Sequence, residues 1–290
     1  MAETKPTATA SVKATSVQAK KSSNAISWLA PIICLIAGYL IWRYIFGNAD
    51  GFDKPDKTGA WFWPKHQNPK PGNAIAGIYM GGIIIPILLG MFLMVVTFSI
   101  ERLLTISKAL GSGSIGDFIR KVQYHLANRN VDAAIAECDK QRGSVANVMR
   151  AGLRRYKEMT TNSELSTDQK VLAIQKEVEE ATALELPMLQ KNLVFLSTIT
   201  SVGTLVALLG TVMGMIRSFG ALGDAGGGAS AANNLAVGIS EALYNTALGI
   251  GTSAFALIMY NVFTTKIDSI TYGIDESGFT LTQSFGSLYK

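Results

Sequence analysis

Hydrophobic residues in this chain are gathered into four blocks, separated by polar segments of very different length. The blocks run from 26 to 46, from 73 to 99, from 191 to 217 and from 235 to 263. A helix of about 20 residues crosses a hydrocarbon core roughly 30 Å thick, and each block is long enough to do so. The pattern therefore predicts an all-α integral membrane protein with four transmembrane helices.

The polar segments predict the rest of the organisation. Residues 1–25 are rich in Ala, Thr, Ser and Lys and have no hydrophobic period, which is typical of a disordered terminus. Residues 100–190 have apolar positions at helical spacing, as between Val131 and Cys138, and we expect a helical domain into which two long transmembrane helices extend. The remaining segments are expected to be two loops, 47–72 and 218–234, and a C-terminal tail, 264–290.

Two of the blocks allow more than one interpretation. The first could be a signal peptide, because Gly47-Asn48-Ala49 resembles a cleavage site, but its apolar run exceeds the usual length of about 7–15 residues. We therefore expect a retained helix; if the block were cleaved, three transmembrane helices would remain. The second block contains Pro86 near its middle, and the missing amide hydrogen predicts a kink at that position.

The distribution of basic residues predicts the orientation of the helices. Lys and Arg are frequent before the first block and throughout residues 100–190, whereas the segment after the third block has Arg217 and Asp224 as its only charges. Basic residues are concentrated in the cytoplasmic loops of membrane proteins. We therefore expect residues 100–190 and both the N- and C-termini in the cytoplasm, and the two predicted loops in the periplasm.

The composition agrees with a membrane protein and argues against other classes. The chain is 48% hydrophobic and 16% charged, and its net charge of +5 lacks the interleaved aromatic and basic residues of a nucleic-acid-binding surface. Cys34 lies in an apolar block and Cys138 in a polar region, so we expect no disulfide; His66 and His125 have no neighbouring ligands. Since no nucleophile–base set and no metal-ligand spacing is found, we expect neither an enzyme nor a metal or cofactor site.

The last two blocks contain the candidate chemistry. Leu193–Ile216 has no charged residue, and Glu241 is the only one within Leu235–Phe263. A carboxylate at mid-membrane costs on the order of 2.5 kcal/mol or more, so it is usually retained for ion or proton handling. If the two helices are antiparallel, Thr211 and Glu241 should lie at similar depth, about 8–9 Å inside the outer boundary.

Polar residues form one stripe on each of these two helices. Successive steps of +3, +4 and +7 on the third helix, and of +4 and +7 on the fourth, keep each set on one face. The stripes either line a watered cavity, or their hydroxyls bond to backbone carbonyls while the carboxylic acid is a protonated structural group. The stripe residues are Ser197, Thr200, Thr204 and Thr211 on the third helix, and Glu241, Asn245 and Thr252 on the fourth.

Two patterns in these helices resemble the ExbB/TolQ/MotA proton-channel family, and ExbB most of all. They are GTVMGMIRSF at Gly210–Phe219 and GISEALYNTALG at Gly238–Gly249, and the resemblance extends over roughly residues 74–268. It implies three transmembrane helices, so the first block is additional. It further implies a pentamer in the bacterial inner membrane around a dimer of a single-span, ExbD-like partner. With that partner's proton-accepting aspartate, the complex would use the proton-motive force to drive a TonB-like protein and outer-membrane transport.

The resemblance also implies roles for individual residues. Thr211, Glu241 and Thr246 would line the central pore and face the partner's aspartate. Thr246 is assigned from the motif alone, because five residues after Glu241 it lies only on the flank of the polar stripe. The further pore candidates are Ser197, Thr200, Thr204, Asn245 and Thr252.

The chain departs from the family's pattern in its additional first block and in Gly203-Thr204-Leu205, where the family often has a proline. The first departure leaves the role of residues 1–72 open. Two alternatives to an ExbB-like motor subunit also remain: a TolQ-like or gliding or flagellar stator subunit, and a membrane scaffold without ion flow.

Overall fold

The computed structural model describes residues 24–54, 67–70, 72–224 and 229–289. Within these ranges the chain is helical apart from turns and one two-stranded ribbon, and four helical segments are long and apolar enough to cross a membrane. The prediction of an all-α membrane protein with four spanning helices is therefore confirmed. Disorder is expected for residues 1–25, and residues 1–23 of this segment lie outside the described ranges. His66 also lies outside them.

The elements follow one another from the N-terminal helix to a very long final helix. A π-helical segment, Ile41–Phe46, directly continues the first helix, and a short 3-10 turn precedes the ribbon. The bounds are α1 Asn24–Leu40, β1 Phe52–Lys54, β2 Gln67–Pro69, α2 Ala74–Tyr79, α3 Ile84–Leu110, α4 Ile115–Ala127, α5 Val131–Gln141, α6 Gly143–Thr161, α7 Thr167–Gln190, α8 Leu193–Asp224 and α9 Ala229–Leu288.

The second hydrophobic block is interrupted before Pro86 and not at it. Helix α2 ends at Tyr79, and the backbone turns through Gly82, whose φ of +69° suits a residue without a Cβ atom. Helix α3 then starts at Ile84, so Pro86 lies in its first turn, where an amide hydrogen would have no partner within the helix. The kink predicted at Pro86 is therefore wrong: the proline begins a helix and does not bend one.

The helical domain contains α4, α5, α6 and most of α7, which pack around one apolar core. Val122, Cys138, Met149 and Leu153 are fully covered in it. The start of α7 is fixed by a capping box, because the Ser166 hydroxyl accepts from the Gln169 amide while the Gln169 side chain accepts from the Ser166 amide. The helical character that the spacing of apolar residues predicts for this part of the chain is therefore confirmed.

Helix α9 connects the membrane region to the helical domain. It has 60 residues and extends about 90 Å at about 1.5 Å per residue. In its second half Ile274, Leu281 and Phe285 are buried, and Tyr156 of α6 packs edge-on against the Phe285 ring at a centroid distance of 4.9 Å. Within the predicted tail, residues 264–288 are thus a continuation of α9 that forms part of the domain core.

Arg102 of α3 holds the junction between α7 and α8, at the end of the membrane region next to the helical domain. Its Nη1 donates to the carbonyl oxygens of Met188 and Leu189, both at 3.2 Å, in the last turn of α7. Its Nε donates to Glu101 at 2.7 Å, and the same carboxylate accepts from the Asn192 amide group at 3.2 Å. One buried guanidinium therefore satisfies carbonyls that a helix end leaves without intrahelical partners.

Cys138 should resist thiol reagents in the folded protein. Its side chain is 0% exposed, its Sγ donates to the Ala134 carbonyl at 3.4 Å, and burial raises the pKa of the thiol to about 12. Because the thiolate is the reactive form, we expect maleimide to modify Cys138 at least about 100-fold more slowly than an exposed thiol. In a Cys34→Ala background, mass spectrometry should show fast modification of Ser163→Cys in an exposed loop, and of Cys138 only after unfolding. Equal rates in the folded protein would contradict this.

Candidate functional site

The contact between α8 and α9 is built from small residues, so the two backbones approach closely. A Cβ atom added at Gly214 would lie 3.0 Å from the Cβ of Ala242, and one added at Gly203 would lie 2.6 Å from the Ser253 hydroxyl. Small residues give membrane helices the close dispersion contacts that hold them together without a hydrophobic driving force. The contact fixes the register of α8 against α9, and with it the relative heights of their polar side chains.

Thr211 and Thr246 meet directly across this contact. Their hydroxyl groups are hydrogen-bonded to each other. Each hydroxyl oxygen also lies within bonding distance of the carbonyl four residues earlier, Thr211 at 3.1 Å from Ala207 and Thr246 at 3.2 Å from Ala242. Two hydroxyl protons thus serve three contacts, so the bond between the pair can reverse its direction. The structure brings together the two threonines that the motif singled out.

Glu241 lies on a different face of α9. Five residues at about 100° each place its side chain about 140° around the helix from Thr246. Glu241 is half-buried and faces α8 and the turn between α2 and α3. It forms no hydrogen bond or ion pair with another residue of the described ranges. The side chain of Glu241 and the Thr211–Thr246 hydroxyl pair therefore lie on different sides of α9.

The depth expected for Thr211 also needs correction. Because Thr211 is bonded to Thr246, it lies about five residues, or roughly 7 Å, deeper along α9 than Glu241. The prediction of equal depth placed the outer end of the third helix near Ile216. Helix α8 instead continues to Asp224, and α9 begins at Ala229. The offset comes from the register of the α8–α9 contact, which sets Thr211 beside Thr246 and not beside Glu241.

Two cavities adjoin the Glu241 side chain. A small one, of about 10 Å³, lies between α8, α9 and the turn between α2 and α3, and Arg217 and Asn245 share its lining with Glu241. A larger one, of about 350 Å³, lies between α9 and the segment that leads from β2 into α2; its lining includes Lys70, Asn73 and Glu241. The carboxyl group therefore borders on a nearly closed space on one side and an open one on the other.

The other candidates on α8 form no closed polar site within this subunit. Ser197 and Thr204 are exposed and Thr200 is half-buried. The hydroxyls of Thr200 and Thr204 donate to the carbonyls of Leu196 and Thr200, at 3.0 Å and 3.3 Å. Such bonds are the ordinary way in which a membrane helix satisfies a hydroxyl group. These residues remain available to an interface between subunits.

Asn245 and Thr252 lie inside the subunit. They are 3% and 1% exposed. The Asn245 amide group donates to the Gly81 carbonyl at 3.2 Å, and the Thr252 hydroxyl donates to the Leu248 carbonyl at 2.8 Å. A side chain covered within its own subunit does not line a channel between subunits, so the prediction that these two residues line a pore needs correction.

Arg217 is a neighbour of Glu241 that the sequence analysis treated only as a loop charge. The structure keeps it in α8, where it lines the small cavity, and a Cβ atom added at Gly82 would lie 3.4 Å from its Nη1. Arg217 follows the cavity-lining Gly210 and Gly214 by seven and three residues, which is one helical face. This spacing could have placed Arg217 beside Glu241.

In the described residues no group of three His, Cys, Asp or Glu could hold a metal ion.

Comparison with known proteins matches the part of the chain that contains the threonine pair and Glu241. Residues 140–276 match the MotA/TolQ/ExbB proton channel family. The putative biopolymer transport protein ExbB-like 3 of Synechocystis sp. is 38% identical over 86 residues, 30% of this chain and 41% of the relative. The Tol-Pal system protein TolQ of Pseudomonas aeruginosa is 29% identical over 126 residues, 43% and 54% of the two chains.

A third relative is matched over a larger share of its own length. The biopolymer transport protein ExbB of Helicobacter pylori is 40% identical over 96 residues, which are 33% of this chain and 64% of the relative. The chain thus covers less than two thirds of the length of each of these relatives. Residues before 140, including α1, the ribbon, α2 and α3, lie outside the family match. This chain is therefore a multi-pass membrane protein in which residues 140–276 are similar to the MotA/TolQ/ExbB proton channel family.

Proposed function

We propose that this chain is an ExbB-like subunit of a proton-driven motor in the bacterial inner membrane. With an ExbD-like single-span partner it would use the proton-motive force to energise TonB-dependent outer-membrane transport. The observation that carries this proposal is the paired hydroxyls of Thr211 and Thr246 across the α8–α9 contact, about two turns or less from the one carboxylate of that region, Glu241. A carboxyl group and a reversible hydroxyl pair are groups through which a proton can pass.

The proposed mechanism assigns different tasks to the two polar faces. Glu241 accepts and releases a proton in a setting where Arg217 supplies the nearby positive charge. Thr211 and Thr246 form the donor and acceptor surface that faces the partner's carboxylate, because the bond between them can reverse. A path that crosses the membrane needs a further titratable group, and in this proposal the partner chain supplies it.

Exposed apolar residues on α8 favour an assembly of several subunits. Val194, Leu205, Leu208 and Ile216 are between 58% and 72% exposed. This face is turned away from the small-residue contact with α9, so lipid or a neighbouring subunit must cover it. A homo-oligomer, a pentamer in our proposal, would close α8 and α9 into a ring around the partner dimer. In the same proposal, both termini and the helical domain lie in the cytoplasm.

The TolQ-like or stator alternative shares this pore and differs in the partner. Relatives named ExbB-like, ExbB and TolQ are all similar to part of this chain, so the partner decides between these roles. A scaffold without ion flow is the alternative from another class. We retain it as the outcome that the following experiment is designed to detect.

The proposal predicts that a single-span protein with an acidic residue in its apolar segment co-purifies with this chain from native membranes. In liposomes with a pH-sensitive dye inside, proton flux should require both chains. Equal flux with and without the partner would support the scaffold. A partner that belongs to the Tol-Pal system, or one that binds a rotor, would reassign the subunit while leaving the proton path intact.

A further inference from the structure

The segment that precedes the family match is firmly anchored on α9, next to Glu241. Trp42 is 1% exposed, stacks on the Tyr79 ring with 4.5 Å between centroids, and donates from its Nε1 to the Tyr79 carbonyl at 3.3 Å. This contact fixes α2 to the end of the first membrane helix. Helix α2 in turn lies directly on α9, because a Cβ atom added at Gly77 would lie 2.8 Å from the Tyr244 hydroxyl.

This packing leaves an open cavity against the Glu241 carboxyl group. Its volume is about 350 Å³; Lys70, Asn73 and Gly77 line one wall, and Ser240 and Glu241 line the other. Lys70, Asn73 and Ser240 are all exposed, so the mouth of the cavity is polar and reaches the surface. A space of this size holds several water molecules.

Beneath this cavity lies a buried polar atom that lacks a partner. The Oδ1 of Asn245 forms no hydrogen bond within the described part of the chain, although the residue is only 3% exposed. It lies beside Gly81, where an added Cβ atom would be 2.6 Å from it, and Asn245 lines the small cavity of about 10 Å³ together with Glu241 and Arg217. That volume suits about one water molecule, and a buried carbonyl oxygen without a partner is the group that such a water satisfies.

We propose that the N-terminal segment forms a lateral, water-filled access route to Glu241, and that Asn245 holds the innermost water of this route. This proposal rests on the proposed function, because it assumes that Glu241 exchanges protons. A hydronium ion in the larger cavity gives its proton to the Glu241 carboxylate and remains as water. The carboxylic acid later gives that proton to the partner's carboxylate, on the side where Thr211 and Thr246 lie, and returns to the carboxylate form. Protons thus arrive at Glu241 from outside the ring and not along its central lumen.

The route can be tested by asking whether a water-soluble reagent reaches Glu241 through the cavity. A hydrophilic carbodiimide with an added amine is applied to the outer side of membranes that contain the complete complex, and modification of Glu241 is followed by mass spectrometry. Ser240→Trp places an indole ring in the cavity, whereas Ser240→Ala leaves the cavity open. We expect Ser240→Trp to lower the rate at least about tenfold and Ser240→Ala to leave it within about twofold, because access requires a continuous water-sized space.

Two controls keep the result interpretable. A lipophilic carbodiimide, which arrives through the bilayer, should modify Glu241 equally in both variants if the tryptophan only fills the cavity. Lys70→Trp fills the same cavity from the opposite wall and should also lower the rate of modification by the hydrophilic reagent about tenfold. If both tryptophan variants react with the hydrophilic reagent as fast as Ser240→Ala, the lateral route is wrong.

The same experiment separates a failure of the route from a failure of the proposed function. Modified complexes are assayed for proton flux with the partner present. If modification of Glu241 leaves this flux unchanged, the proton role of Glu241 is wrong, whatever the rates in the tryptophan variants. If modification abolishes flux while the tryptophan variants react normally, only the route is overturned.

Discussion

Replacing Glu241 by Gln is expected to lower partner-dependent, proton-driven uptake by at least about 100-fold, the scale of effect seen when a positioned proton-transfer group is removed. Glutamine has nearly the same shape and polarity as glutamic acid but neither accepts nor releases a proton near neutral pH. Since Glu241 forms no hydrogen bond or ion pair with another described residue, the substitution breaks none of the contacts that hold α9 in place. The loss should therefore appear in activity and not in the amount of folded protein.

The measurement compares uptake rates at equal membrane levels of the chain and of its partner. Glu276→Gln is the matched control: it makes the same chemical change on the same helix, at an exposed position beyond the apolar block. It should leave uptake within about twofold, as expected for an exposed surface position. Glu241→Asp keeps a carboxyl group but shortens it and should retain part of the activity. Uptake by Glu241→Gln above half of the unsubstituted level would remove Glu241 from the proton path.

Sequence patterns predicted the framework of the site because they depend on local periodicity and length. The four blocks correspond to helices long enough to span a membrane, and the helical spacing between Val131 and Cys138 marks α5. The motif also named Thr211 and Thr246, whose hydroxyl groups are hydrogen-bonded in the structure, while their position in a pore stays a prediction. The positions of the helices follow from the local sequence, because a helix needs only neighbouring residues to form its backbone bonds.

What the sequence could not predict is which neighbour each face of a helix meets. A stripe that steps by four and seven residues puts Glu241 and Asn245 on one side of α9, and this is correct. That side is covered by α8 and by the turn between α2 and α3, which only the tertiary packing decides. The turn at Gly82 creates this covering. The sequence pattern instead predicted the interruption of this block at Pro86, a few residues later.

Replacing Arg102 by Ala is expected to lower the free energy of unfolding by about 3 kcal/mol, because the groups that this buried charged donor satisfies are left without it. The side chain of Arg102 is 2% exposed, and its guanidinium donates to the carbonyls of Met188 and Leu189 as well as to Glu101. Without it, two carbonyls at the end of α7 lose their donor. Glu101 is 42% exposed and regains water, so the carbonyls account for most of the loss.

Arg120→Ala is the control for this prediction, because Arg120 also pairs with a neighbouring carboxylate, Asp117, at 2.6 Å. Both side chains of that pair are mostly exposed, at 76% and 62%, and such a pair contributes only about 0.3–0.5 kcal/mol. Unfolding of both variants in mixed detergent, followed by the loss of helical signal, should therefore separate them by more than about 2 kcal/mol. Equal stabilities would show that the junction between α7 and α8 does not depend on Arg102. The stability of Arg102→Lys should lie between those of Arg102→Ala and Arg120→Ala. Its single ammonium group replaces a planar guanidinium and reaches only part of the same acceptors.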